Sequence, residues 1–131
     1  MTTPILHAHL VGAEAWRARA DRAVMRALDE VVAAIARDAA ERARASHPYT
    51  DRTGNLTASI GPRENFTRGD VVEGGVEAQM PYASYIEVGT ENEDGSTRIA
   101  ALPYLGPALT LAAESADAQL MDALDRAFAA V

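Results

Sequence analysis

The sequence predicts an α+β fold: a long N-terminal helix, a small antiparallel β-sheet, a short helix, and a C-terminal helix packed on one face of the sheet. Three observations carry this. Apolar residues recur at three- and four-residue spacing from Glu14 to Ala45, extended patterns fill the middle of the chain, and helical spacing returns after Pro107. With 131 residues, the chain is expected to form a single domain over residues 1–131, long enough for a real core but short for two.

In the first segment Val24, Leu28, Val31, Val32 and Ile35 lie on one helical stripe, extended by Ala20, Ala27 and Ala39. Pro48 disfavours helix at His47, and Gly54-Asn55 supplies turn chemistry, so the helix is expected to end near "SHPYTDRTGN". A histidine cation at that end would be favourable. In "NLTASIGP", Leu56, Ala58 and Ile60 alternate with Thr57 and Ser59, the pattern of a half-buried strand. "PRENFTRGD" is polar and reads as a loop, whereas Val71, Val72 and Val76 resume extended character. Gly74-Gly75 marks a bulge or bend. These segments form an antiparallel pair with a long connection. Pro81 can open a short helix that puts Tyr82, Tyr85 and Ile86 on one side and closes at Gly89. "TENEDGST" has no hydrophobic anchor and is expected to be a solvated loop. "RIAALPYLGPAL" begins extended and leads into one final helix with Leu105, Leu109, Ala112, Ala116, Leu120, Leu124 and Phe128 on a stripe.

Composition removes several function classes. Only 5% of residues are aromatic while 48% are hydrophobic, so the core must rest on alanine and aliphatic residues in close contact. Without cysteine there is no disulfide framework, thiolate metal site or cysteine nucleophile, and a cytosolic folding compartment is expected. No apolar run reaches the roughly 20 residues of a membrane helix, and "MTTPILHAHL" lacks the features of a signal peptide, so a soluble, full-length product is expected. A net charge of −7 opposes general nucleic-acid binding. The charge is uneven: Glu14 to Arg44 holds seven arginines against six acids, and the remainder five against thirteen. Every basic residue is arginine, as a GC-rich coding sequence favours.

Three ordered segments then stand out: "HPYTDRTGNLTASI", "MPYASYIEVGT" and "LPYLGPAL". Behind a long helix, they resemble the head-tail joining proteins of long-tailed bacteriophages, the neck or tail-completion family. The family elements fall on Thr53, Gly54, Leu56, Ser59 and Ile60; on Tyr82, Ala83, Ile86, Glu87, Gly89 and Thr90; and on Tyr104, Leu105, Pro107 and Ala108. Tyr85 lies within the second element. Two departures are Tyr104 where phenylalanine is more usual, and the acidic insertion Glu91 to Ser96. The resemblance implies a non-enzymatic virion protein without cofactor. It would form a six- or twelvefold homo-oligomeric ring between capsid connector and tail, assembled in the bacterial host cytoplasm. Connector, stopper and tail proteins would be its neighbours, no membrane would be involved, and DNA would pass through its channel without sequence-specific binding. The role of tail terminator is the near alternative. The motif residues, Gly54, Leu56, Ser59, Tyr82, Tyr85, Glu87, Gly89, Thr90, Tyr104 and Pro107, are expected to be structural. Interface contacts are expected on the two loops, at Arg63, Asn65 and Arg68 and at Glu91, Asn92, Glu93, Asp94, Arg98 and Ile99.

Other chemistries have weaker support in the residues. Tyr82, Tyr85 and Glu87 could flank a cleft, and a small hydrolase could pair Glu87 with His47, but no nucleophile or metal can be named beside them. The bland alternative has Tyr82 and Ile86 packing inward while Glu87 or Thr90 caps backbone donors around Gly89. His7 and His9 form a His-x-His pair without a third ligand. "ENEDGS" lacks EF-hand spacing. "RGD", "NLT" and "NFT" are short patterns of the kind that arise by chance. The arginines of the first helix could face DNA, but they alternate with acids, as Asp38 and Arg42 do four apart, which is the arrangement of a salt-linked surface.

Overall fold

A computed structural model describes residues 12–130; the His7–His9 pair lies outside them. The long helix α1 spans Ala13–Ala45, about 50 Å at 1.5 Å per residue. After a loop come the short helix α2 (Asn55–Ser59) and a hairpin of β1 (Ile60–Arg68) and β2 (Val71–Ala78). Helix α3 (Ala83–Val88), a second hairpin of β3 (Thr90–Glu91) and β4 (Thr97–Ile99), and helices α4 (Leu105–Ala113) and α5 (Ala116–Ala129) complete the order. Helix α1 is the spine: the first hairpin, α4 and α5 all pack on it. The α+β class and the C-terminal helices beside the sheet agree with expectation.

The core is built on alanine. Among the described residues, eleven of the sixteen buried hydrophobic side chains are alanine, and seven of those lie on α1. Of the expected stripe Ala20, Ala27, Val31 and Ala39 are buried, whereas Val24, Leu28, Val32 and Ile35 are only partly buried; Ala23, Ala36, Ala40 and Ala43, outside the stripe, are buried as well. A methyl side chain lets neighbours approach a helix on more than one side, and α1 is flanked by both the sheet and the C-terminal helices. Two clusters result. One joins Ala40 and Ala43 to Tyr49, Leu56, Ile60, Ala83, Tyr104 and Ala108; the other joins Ala27 and Val31 to Ala123.

Several sequence expectations need correction. "NLTAS" is helix α2, not strand, and "PRENFTR" is strand β1, not loop. The two strands meet through a tight Gly69-Asp70 turn with Gly69 at φ 61, so the long connection does not exist. The strand is polar because only its first residue, Ile60, is buried, so period-2 hydrophobicity is missing. The bulge expected near Gly74 is present: register shifts between Arg63↔Gly75 and Phe66↔Glu73, with the extra residue on β1. A Cβ on Gly74 would lie 2.5 Å from Val32 Cγ1 and 2.5 Å from Asn65 Oδ1, so the missing side chain lets the hairpin rest on α1. "TENEDGST" is not one open loop, since its ends pair as β3 and β4. The final helix is two, broken at Glu114-Ser115, and the break leaves Leu109 and Phe128 exposed despite their shared stripe.

Candidate functional site

The region around α3 assembles all three motif segments. In the first, the Asp51 carboxylate accepts the backbone N–H groups of Gly54 (2.9 Å) and Thr57 (2.9 Å), opening α2. Hydrogen bonds from Thr57, by its hydroxyl and then its N–H, hold the Asp51 carboxyl below its ordinary range. Gly54 sits at φ 78, and the Ser59 hydroxyl donates to the Leu56 carbonyl at 2.7 Å. Leu56 and Ile60 are buried. His47 lies two residues beyond the end of α1. Its ring stacks on Tyr49 with centroids 3.9 Å apart, and Nδ1 lies 3.0 Å from the Tyr49 carbonyl. The Tyr49 hydroxyl lies 2.8 Å from Thr57 Oγ1. Sequence reasoning missed Tyr49, Asp51 and Thr57; the Asp-x-x-Gly spacing was the one local signal for the cap.

The second and third segments form one device. Both oxygens of Glu87 are engaged by the start of α4: Oε2 accepts from Tyr104 N–H (2.6 Å) and Leu105 N–H (3.0 Å), Oε1 from Gly106 N–H (2.8 Å). The next residue, Pro107, has no N–H to satisfy. One carboxylate and one proline thereby complete the first turn of a helix whose N-terminus also favours negative charge. Glu87 thus caps α4 rather than the donors around Gly89, and Thr90 Oγ1, buried, finds no partner among the described residues. Tyr104 is buried beneath this cap, donates its hydroxyl to the Ala83 carbonyl at 3.2 Å and meets the Tyr49 ring edge-on at 5.0 Å. Burial first, then the Glu87 charge, pushes its phenol up to about 12. Gly89 sits at φ 72, and a Cβ there would lie 2.5 Å from the Ile99 carbonyl oxygen.

For hydrolysis, Glu87 would need a free oxygen aimed at a substrate, and its oxygens instead meet three backbone donors. Among the described residues, no three His, Cys, Asp or Glu side chains gather as a metal site, and no helix is long and apolar enough to cross a membrane.

What the α3 region does present is apolar surface. Tyr82 was expected to pack inward, but it is exposed, as are Tyr85, Val88, Ile99 and Leu102; Val88 is 72% exposed. Ile86 does pack against the core. The backbone beneath is fixed, because Leu102 N–H donates to the Ile86 carbonyl at 2.8 Å and Gly89 abuts the strand end at Ile99. A family model described as "Bacteriophage HK97-gp10, putative tail-component" matches residues 13–89, more than half of the chain. The chain belongs to the HK97-gp10-like family. No curated protein and no solved structure matches it.

Membership makes this HK97-gp10-like protein a structural component of a phage tail, located in the virion. The match covers α1, the Asp51–Ile60 knot, the first hairpin and the Glu87 segment, and stops before the Tyr104 segment that Glu87 caps. The sequence-predicted contact residues fall on two separate hairpins. Arg63 and Asn65 line a groove with Asp29 and Arg37, where the Asn65 amide donates to the Asp29 carbonyl at 2.9 Å. Arg68 pairs with Glu73 at 3.3 Å. On the second hairpin Asn92 and Asp94 bond Ser96 and shape the turn, whereas Glu91, Glu93, Arg98 and Ile99 are exposed. Asp38 and Arg42 form the expected helix-surface pair at 3.0 Å.

Proposed function

We propose that this protein is a ring-forming subunit at the junction of phage head and tail. It joins the capsid connector or stopper to tail proteins and lets DNA pass without sequence-specific contact. Six- or twelvefold closure is the natural symmetry. The observation that carries the reading is the apolar surface of Tyr85, Val88, Ile99 and Leu102, uncovered in one copy and mounted on backbone locked by Glu87 and the Leu102–Ile86 bond. Large exposed apolar patches on rigid elements mark protein contacts. The exposed charged residues Glu91, Glu93 and Arg98, on the same hairpin as Ile99, supply a polar rim that sets register. Family membership supplies the phage tail setting. The acidic balance of the chain favours a channel that repels phosphate.

Light scattering and negative-stain microscopy of the purified protein should show closed rings, and immunogold labelling of particles should mark the neck. Labelling at the top of isolated, headless tails alone would favour a tail terminator. A strictly monomeric protein absent from purified particles would sink the proposal.

A further inference from the structure

A second apolar feature lies at the far end of the spine. A groove of about 630 Å³ runs between the end of α1 and the start of α4, walled mainly by Ala45, Pro48, Pro103, Pro107 and Leu111, with Ser46 and His47 also in its lining. Its volume is that of a site able to hold a small ligand or a few side chains. Three prolines present ring carbons and no N–H groups, so the walls offer shape and apolar contact more than hydrogen bonds. Arg42, the charged residue at its edge, is already paired with Asp38 at 3.0 Å. Such a groove favours an uncharged, aliphatic segment, because an ion placed there would lose hydration without a partner.

The chain itself carries such a segment. Residues 2–11, "TTPILHAHLV", hold no Asp, Glu or Arg and include Pro4, Ile5, Leu6 and Leu10, in a chain that is 24% charged overall. The segment joins α1 at the end opposite the groove. From Ala13 to Arg42 the helix rises about 44 Å. Ile5 and Leu6 precede Ala13 by too few residues to reach back, since even a fully extended chain from Ala13 to Ile5 spans only about 28 Å. They are therefore out of reach of their own groove, and a segment of this kind can fill it only from another chain.

We infer that Ile5, Leu6 and the residues around them dock into the α1–α4 groove of a second copy of this chain. The contact is head to tail: the segment before α1 on one subunit and the groove after α1 on the next. Two different surfaces in contact are what a closed ring requires. The inference rests on the ring reading and names one contact that would close the ring.

The chain has no cysteine, so introduced thiols report single positions. Full-length Leu6→Cys and full-length Leu111→Cys proteins, mixed and mildly oxidised, should yield a disulfide-linked dimer. The chain carrying both changes should give a ladder of covalent multimers, and Leu6→Cys mixed with Glu93→Cys should give neither. Separately, the full-length Ile5→Asp/Leu6→Asp variant should form rings at least tenfold more weakly. A synthetic peptide of residues 2–11 added to that variant should shift the methyl resonances of Leu111 and Ala108. Intact rings without a Leu6–Leu111 cross-link overturn the inference and leave the ring reading standing. A peptide that leaves Leu111 unmoved also overturns it. Peptide docking to a protein that stays monomeric at every concentration overturns both, a foreign apolar segment then being the occupant.

Discussion

Glu87 concentrates more structural work than any other charged side chain in the described residues. Replacing it with alanine leaves the first N–H groups of α4 to water or to nothing, and should lower stability by about 2 kcal/mol; glutamine, which keeps one acceptor oxygen, should cost about 1 kcal/mol. Denaturant midpoints measure both. A hydrolase reading would instead have Glu87→Gln abolish turnover in a protein that still assembles. Tyr104 gives a pH signature. Its phenol is raised to about 12 in the folded chain from an ordinary 10.0, so the folded state holds the proton more tightly than the unfolded one. The resulting stability is fully present below pH 10 and is lost as pH rises toward 12. Tyr104→Phe, the residue more usual in the resembling family, should fold without that alkaline decline. Thermal melts from pH 9 to 12 would show it; an identical decline in both proteins would contradict the assignment.

Among the elements, the glycine that precedes the acidic hairpin and the one in its turn separate backbone conformation from packing. Gly89 and Gly95 both have positive φ, 72 and 83, but a Cβ at Gly95 meets nothing within 4 Å whereas one at Gly89 strikes the Ile99 carbonyl oxygen at 2.5 Å. Gly95→Ala should therefore cost about 1 kcal/mol, for its conformation alone. Gly89→Ala should cost about 2–4 kcal/mol and loosen the β3–β4 hairpin, because backbone atoms cannot swing aside as a side chain can. Hydrogen exchange at Leu102, whose N–H bonds Ile86, reads the loosening directly. Element type was legible where a pattern had room to repeat. Helix α1, with 33 residues, carries many turns of evidence, while the five residues of α2 alternate as a strand would. What makes α2 a helix is the Asp51 carboxylate and the left-handed Gly54, tertiary and turn chemistry that period-counting does not register. Strand β1 was missed for the converse reason: most of its side chains face solvent, so it reads as polar loop.

At the scale of the whole molecule, the proposed function depends on what one copy leaves uncovered. Val88 is 72% exposed, so Val88→Asp should leave the monomer's melting temperature nearly unchanged. Combined with Ile99→Asp, it places two charges in the proposed contact and should weaken assembly by roughly 30-fold per lost anchor of about 2 kcal/mol. Sedimentation across a concentration series measures this; rings of undiminished stability would move the interface elsewhere. The contact positions expected at Ile99 and the acidic turn fall on exposed residues, but the sequence turned Tyr82 inward, because helical spacing places residues on a face without saying which face meets the core. Arg63, Asn65 and Arg68 were legible as exposed polar positions, and their engagement with α1 and β2 was not.

Membership in a phage tail-component family, the α+β class and an alanine-built core follow from the sequence alone. Residue order, spacing and composition are properties of the chain itself, whatever its fold. The motif residues were recognisable as a set, yet their purpose was not. The tertiary structure decided that Glu87 and Pro107 jointly begin α4, that Tyr104 is sealed beneath them by Ala83 and Tyr49, and that Tyr85, Val88, Ile99 and Leu102 are each left exposed. Each is a relation between segments well apart in the chain. A carboxylate's partners and a side chain's exposure depend on what the fold brings near, and local pattern carries no record of that.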